Sequence, residues 1–222
     1  MSRADRPGWD TGGSRPDNAR VLGGIVRGKR TTLRVPTEAD LAGFSRWAAD
    51  LRVRGALTHA YWDEPAMLAT WKERLAKQSE DKTSLLWAIE ADGALVGSCR
   101  VEYGIEPGHF GTDGIGISHF AIDPDRWRQS LGADAALAVH RWIFDIVHAR
   151  FAYTELAAHN AAALRIAERL GYETYARGTD VHYGDGRYVD GLQLRMDLAT
   201  WDERWGATER EYPVPLGEEL ES

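Results

Sequence analysis

The spacing of apolar residues along the chain changes period several times, and each change marks an element. From Thr37 to Leu51 the period is helical: Thr37 stands at the N-cap, and Leu41, Phe44, Ala48 and Leu51 share one face. A second helical stripe, Leu68, Trp71 and Leu75, follows Pro65 at a helix start. Ahead of both, Val21–Val26 and Thr31–Val35 flank the turn Arg27-Gly28-Lys29-Arg30 as a hairpin. Ser84–Glu90 and Ala94–Tyr103 are β-rich runs joined around Asp92-Gly93, a dipeptide suited to two-residue hairpin turns. A Gly-rich loop, Glu106–Gly114, leads to a strand at Ile115–Ile122. A long helix is predicted from about Leu131 to His148, with Ala135, Val139, Trp142, Ile143 and Ile146 inward and Asp134, Arg141, Asp145 and His148 on its wet face.

Phe151–Leu156 reads as a buried strand, and Asn160 opens a short helix carrying Ala163, Ile166, Ala167 and Leu170 on one face. Gly171 follows as its C′ residue. Strands Tyr172–His182 and Tyr188–Asp197 close the fold around Gly184-Asp185-Gly186, and Trp201–Trp205 forms a last helical turn. Helices, then an antiparallel meander, then a β-α-β-α-β unit predict an α/β fold with a mixed central sheet and flanking helices.

The segment Pro124-Asp125-Arg126-Trp127-Arg128-Gln129-Ser130-Leu131-Gly132 joins a strand to the long helix. Such a loop presents free backbone N–H groups at a helix N-terminus, where anions bind. Arg126 and Arg128 beside those amides suit a diphosphate. Taken alone, the same residues also fit an ordinary strand-to-helix turn with two solvated arginines.

Charge narrows the partners. The formal net charge of −7 argues against a general polyanion or nucleic-acid binder. It is uneven, with basic residues gathered in 1–30 and acidic ones in 202–222. Residues 1–20 read as a flexible arm, 21–205 as a single domain and 206–222 as an acidic tail. The single Cys99 excludes an intrachain disulfide and any CxxC site. With no long apolar run and no signal-peptide pattern, the chain reads as intracellular, in the cytoplasm and off the membrane. HExxH, GxSxG, Walker A and GxGxxG are all absent, and no metal site is expected. Trp62, Trp71, Trp87, Trp127 and Trp142 are expected in the core or as pocket wall.

Four segments together resemble the GNAT superfamily of acyl-CoA N-acyltransferases, in its ribosomal-protein acetyltransferase (RimJ/RimL-like) branch. Thr32-Leu33-Arg34-Val35-Pro36-Thr37-Glu38-Ala39-Asp40-Leu41 resembles the branch's opening. Ile122-Asp123-Pro124 through Ala133-Asp134-Ala135 resembles its pyrophosphate loop and helix start. Asn160-Ala161-Ala162-Ala163 through Glu168-Arg169-Leu170-Gly171-Tyr172 resembles the "NxxSxxxxeklGF" segment, and Gly186-Arg187-Tyr188-Val189-Asp190 the closing "GxyxD". The resemblance spans about Arg30 to Asp197. It implies a GNAT fold with a splayed fourth and fifth strand pair, and acetyl-CoA or another acyl-CoA as co-substrate. The acceptor would be a small-molecule amine or a protein N-terminus. A homodimer is compatible with this scaffold.

The resemblance also assigns residues. The diphosphate would lie on Arg126, Trp127, Arg128, Gln129, Ser130, Leu131, Gly132 and Ala133. The pantetheine arm would pair with Phe120, Ala121 and Ile122 on the fourth strand, and Asn160 would contact it, cap its helix, or both. The chain departs from the family loop [QR]-x-x-G-x-[GA], with Trp127 at the first position and Ser130 at the central Gly, while Gly132 keeps the last. Members often place a basic Glu on the fourth strand, where this chain has Gly114, Ile115 and Gly116, and an acidic Tyr where it has Ala167. The remaining candidates for proton transfer are Asp113 and His119. Strand alternation places His119 on the face opposite Gly116 and Ser118. A non-catalytic acyl-CoA-binding module on the same fold is the alternative.

Overall fold

The computed structural model describes residues 24–57, 63–77, 83–103, 114–184 and 186–206. The arm at 1–20, nearly all of the acidic tail, Trp62 and Asp113 lie outside the described residues. The chain starts with the short strands β1 (Val26–Arg27) and β2 (Thr32–Arg34), followed by helices α1 (Leu41–Ala49), α2 (Leu51–Leu57) and α3 (Glu64–Lys77). The meander β3 (Ser84–Ala91), β4 (Ala94–Tyr103) and β5 (Gly114–Ile122) follows. Then come α4 (Leu131–Arg141), β6 (Phe151–Ala157), α5 (Ala161–Leu170), β7 (Glu173–Gly184), β8 (Arg187–Asp197) and α6 (Leu198–Trp205).

The strands form one mixed sheet in the order β1-β2-β3-β4-β5-β6-β8-β7. Every neighbouring pair is antiparallel except β5 and β6, which α4 connects as a parallel crossover. Alternation along the strands supplies two cores. Trp87, Ile89, Cys99, Val101 and Ile115 pack with Leu131, Ala135, Val139 and Trp142 of α4. On the other face Leu86 and Ala88 meet Leu41, Phe44, Trp47 and Trp71 of α1 and α3. Trp87 and Trp142 meet edge-on, with ring centroids 4.9 Å apart.

Leu51, Ile146, Asp145 and Asp134 differ from the pattern-based expectation. Leu51 is exposed rather than core-facing, because Asp50 turns extended at ψ 124° and a new helix starts at Leu51. Ile146 is also exposed, at 38%. The last part of the long helix, Trp142–Ile146, has π geometry, whose wider turn rotates the residues after it away from the α-helical stripe. The same segment brings Asp145, expected in water, to accept a hydrogen bond from the Trp201 indole at 2.9 Å.

The fourth is Asp134. Instead of facing solvent, its carboxylate accepts from the backbone N–H groups of Lys29, Arg30 and Thr31 at 2.8–2.9 Å and from the Thr31 hydroxyl at 2.7 Å. A Cβ on Gly28 would come within 2.3 Å of an Asp134 oxygen, so only Gly lets the turn close over this carboxylate. One side chain at the start of α4 therefore satisfies the whole β1–β2 turn. Asp134→Ala is expected to cost about 2–3 kcal/mol, since the turn loses its acceptor and the amides must find water. Urea denaturation of the variant checks this, and a loss below about 0.5 kcal/mol would show that the turn closes without it.

Candidate active site

The site begins with the parting of β5 and β6. Their register holds from Gly114↔Phe151 to Ile117↔Thr154, and beyond it the strands diverge. Residues 119–122 keep their antiparallel partners on β4, from His119↔Arg100 to Ile122↔Gly97, but have none on β6. A cleft of about 450 Å³ opens in this V. Phe120 and Asn160 line it, with Ala163, Ile166 and Ala167 from α5.

The loop that joins β5 to α4 stands at the wide end of the V. Asp123 accepts from the Asp125 amide at 3.0 Å and starts a short 3₁₀ turn over Pro124–Arg126. Arg128 and Ser130 then take left-handed backbone angles, φ 64° and 62°. The first helical bond of α4 runs from Asp134 N–H to the Ser130 carbonyl at 3.1 Å, so the amides of Leu131, Gly132 and Ala133 have no acceptor within the helix. The Arg30 guanidinium donates to the Gln129 carbonyl at 2.5 Å and ties the loop to the β1–β2 turn. Trp127 is neither core nor pocket wall. Its indole N–H is held by the Ile122 carbonyl at 2.8 Å, and the residue is 42% exposed.

These contacts bring most of the expected ligand-binding residues together. Phe120, Ala121 and Ile122 form the released strand edge, Arg126 to Ala133 form the loop at its end, and Asn160 lies across the cleft. The Asn160 side chain accepts from the Ala163 amide at 3.1 Å, so it caps α5 while lining the cleft. An added Cβ on Gly132 would lie 3.4 Å from Ile122, an ordinary contact.

His119 is not where simple alternation puts it. Arg100 pairs with His119 and Val101 with Ile117, which leaves Ser118 as a bulge in β5. The extra residue reverses the parity, so His119 shares a face with Gly116, not the opposite one. Its Nε2 lies 2.8 Å from the Ser98 hydroxyl, and its ring meets Trp71 edge-on at 5.5 Å. The side chain lines the cleft on the side covered by α1 and α3.

Of positions 114–116, Gly114 has no room for a side chain. A Cβ at Gly114 would sit 2.3 Å from the Tyr153 ring, which occupies the space a Glu side chain would need. A carboxylate enters from the neighbouring strand instead. Glu102 pairs in register with Gly116, lines the cleft and is ion-paired with Arg100. The alternation of Arg100 and Glu102 with apolar Cys99 and Val101 was the signal in the sequence that could have found it.

Pattern reading also left out the buried pair His140 and Tyr172. The His140 Nδ1–H donates to the Ala136 carbonyl at 2.6 Å, and the Tyr172 hydroxyl donates to His140 Nε2 at 2.7 Å. Burial pushes the imidazole down to about 4, against the opposing pull of the Ala136 bond, so His140 stays neutral. Burial likewise pushes the Tyr172 phenol above its ordinary range. With its proton committed to His140, Tyr172 offers the cleft an acceptor oxygen. Opposite β5, the wall made by β6, β7 and β8 contributes Tyr153, Glu155, Tyr175, His182 and Gln193.

This geometry agrees with the comparisons to known proteins. The family model described as "Acetyltransferase (GNAT) domain" matches residues 30–173. The fold is similar to spermidine N-acetyltransferase from Vibrio cholerae in complex with CoA and spermine, with a TM-score of 0.65, 14% identity, 78% of this chain and 98% of that one covered. It is similar also to Mycobacterium smegmatis RimJ in complex with CoA-disulfide, with a TM-score of 0.65, 16% identity and 79% and 87% covered. A putative acetyltransferase from T. thermophilus matches with a TM-score of 0.63, 20% identity and 81% and 92% covered. No curated protein matches the sequence significantly. The chain belongs to the GNAT acetyltransferase family and is an acyl-CoA-dependent N-acyltransferase. Acetyl-CoA is its co-substrate and an amine its acceptor. No helix among the described residues is long and apolar enough to cross a membrane.

Ser130 gives the loop its own test. An L-residue at φ 62° is strained by roughly 1 kcal/mol, and Gly is not. Ser130→Gly is expected to preserve or improve CoA affinity in calorimetry. A loss greater than about tenfold would mark the Ser130 hydroxyl as a phosphate ligand, since a neutral bond contributes only about 1 kcal/mol.

Proposed function

We propose that the diphosphate of acyl-CoA rests on the amides of 127–133, flanked by Arg126 and Arg128. The pantetheine arm runs down the V, pairs with Phe120, Ala121 and Ile122, and passes Asn160. The observation that carries this is the released edge of β5 ending at a helix N-terminus with open amides. An extended chain carrying amide groups and a doubly charged head matches both features at once. The acceptor amine enters from the side of His119, Glu102 and Tyr153 and attacks the thioester directly, without a covalent enzyme intermediate.

The opening and closing motifs favour the RimJ/RimL-like branch. A small-molecule amine and a protein N-terminus are both suitable acceptors, and the similarity in fold to a spermidine N-acetyltransferase and to a RimJ fits either. The protein works in the cytoplasm as a single catalytic domain over 21–205, between an N-terminal arm and an acidic tail, and a homodimer is compatible with it. Calorimetric titration with CoA tests the placement. Replacing Arg126 and Arg128 with Ala is expected to weaken binding roughly ten- to a hundredfold, and more at low salt, where screening is weaker. Absence of binding by the wild type at millimolar CoA would refute the site.

Proton transfer by His119 or Asp113 is secondary in this reading. His119 is engaged by Ser98 and Trp71, and attack on a thioester depends first on holding the amine and carbonyl together. His119→Ala and Asp113→Asn are each expected to lower kcat by no more than about tenfold, measured as thiol release from acetyl-CoA. A collapse of about 1,000-fold with CoA affinity intact would make that residue the general base.

A further inference from the structure

A cradle of amides flanked by arginines holds any diphosphate, so what tells CoA from other nucleotides has to be read on its arm. One side chain stands where the arm would leave the strand. The Asp123 N–H donates to the Val96 carbonyl on β4 at 2.8 Å. Successive strand residues turn their backbone groups to opposite edges, so the N–H and C=O of Ile122, and those of Phe120, point to the released edge of β5. The Ile122 carbonyl is already filled, because the Trp127 indole N–H donates to it at 2.8 Å. The turn between them sets this up. Asp123 accepts from the Asp125 amide with its side chain, at 3.0 Å, and from the Arg126 amide with its carbonyl, at 2.9 Å, and the chain folds back until Trp127 stands beside Ile122. The indole is thus pinned at its polar end while the residue remains 42% exposed. A lone surface tryptophan needs no explanation, but one fixed on a free strand edge between the cleft and the loop before α4 does.

We propose that the Trp127 ring receives the pantoyl unit of CoA, an inference that rests on the cofactor placement above. Read from the sulfur, the arm carries its amide groups first, then the pantoyl carbon with its two methyl groups, then the diphosphate. The protein presents matching features in the same order: the open backbone groups of Phe120, the Ile122 edge with Trp127 on it, and the free amides at the start of α4. Because the indole N–H closes the last carbonyl of the edge, strand-like pairing ends with the Phe120 carbonyl and the Ile122 N–H. The arm leaves the strand direction there, and its branched dimethyl carbon packs on the ring. The ring is held before the ligand arrives, so this contact orders no further side chain. ADP has the adenosine and the diphosphate but no pantoyl unit, and it gains nothing from Trp127. Trp127 therefore determines specificity, favouring a pantetheine arm over a bare nucleotide diphosphate.

Trp127→Ala and Trp127→Phe are compared with the wild type by calorimetry with CoA and with ADP. Trp127→Ala is expected to bind CoA about tenfold more weakly and ADP within about twofold of the wild type, which also shows that its loop is still folded. Trp127→Phe keeps a ring without the N–H and is expected to stay within about threefold for CoA. Fluorine NMR of the protein labelled with 5-fluorotryptophan gives a readout apart from the variants' affinities. The signal missing from Trp127→Phe is that of Trp127, and in the wild type it is expected to shift on titration with pantetheine, which carries the pantoyl unit and no phosphate. Equal losses of CoA and ADP, or equal losses of CoA in the two variants, would make Trp127 a latch that only shapes the loop. A loss greater for ADP than for CoA would make it an adenine platform. Any of these results, a CoA loss below about twofold in Trp127→Ala, or a Trp127 signal unmoved by pantetheine overturns this proposal alone. A wild type that binds no CoA overturns the cofactor placement, and this proposal with it.

Discussion

The site depends on one requirement of the backbone: a strand edge that leaves its sheet must find other partners for its N–H and C=O groups. β5 satisfies this on one side along its length, through β4. On the other side it pairs with β6 for four residues and then stops. The bulge at Ser118 falls just after that limit and adds the local twist that turns the two strands apart. An extended amide-bearing ligand is a direct substitute for the lost strand, which is why a cofactor arm with two amide groups suits this sheet better than a compact ligand would.

The same bulge decides which side chains meet. By reversing the alternation it turns His119 towards Glu102 and Gly116, while Phe120 remains beside Asn160 and α5. The V thus has a polar side under α1 and α3 and an apolar side under α4 and α5. Tyr153 closes over Gly114 and excludes a side chain there, and Glu102 lines the cleft from the neighbouring strand β4.

The element order, the loop feeding α4, and the cap and C′ residues of α5 were legible in the sequence because each depends on local periodicity and turn chemistry. What was not legible was nonlocal. Alternation assigns His119 to a face only if the strand has no bulge, and nothing in Ile117-Ser118-His119 announces one. Asp134 looks like a solvated helix residue until the β1–β2 turn, more than a hundred positions earlier, is laid over it. Glu155 and His182 are 27 residues apart and meet only because Gly191 lies between them. The π segment at Trp142–Ile146 defeats a helical stripe for the same reason, since packing overrides the period.

The tie between Asp134 and the β1–β2 turn has a dynamic consequence. Arg30 holds Gln129 in the loop before α4, while Asp134, one turn into the helix behind that loop, holds Lys29, Arg30 and Thr31. The two segments share their hydrogen bonds and so open together as one cooperative unit. The protection of the loop against amide exchange is therefore set by a hairpin at the far edge of the sheet. An anion that settles on the loop would slow exchange in a turn it never touches.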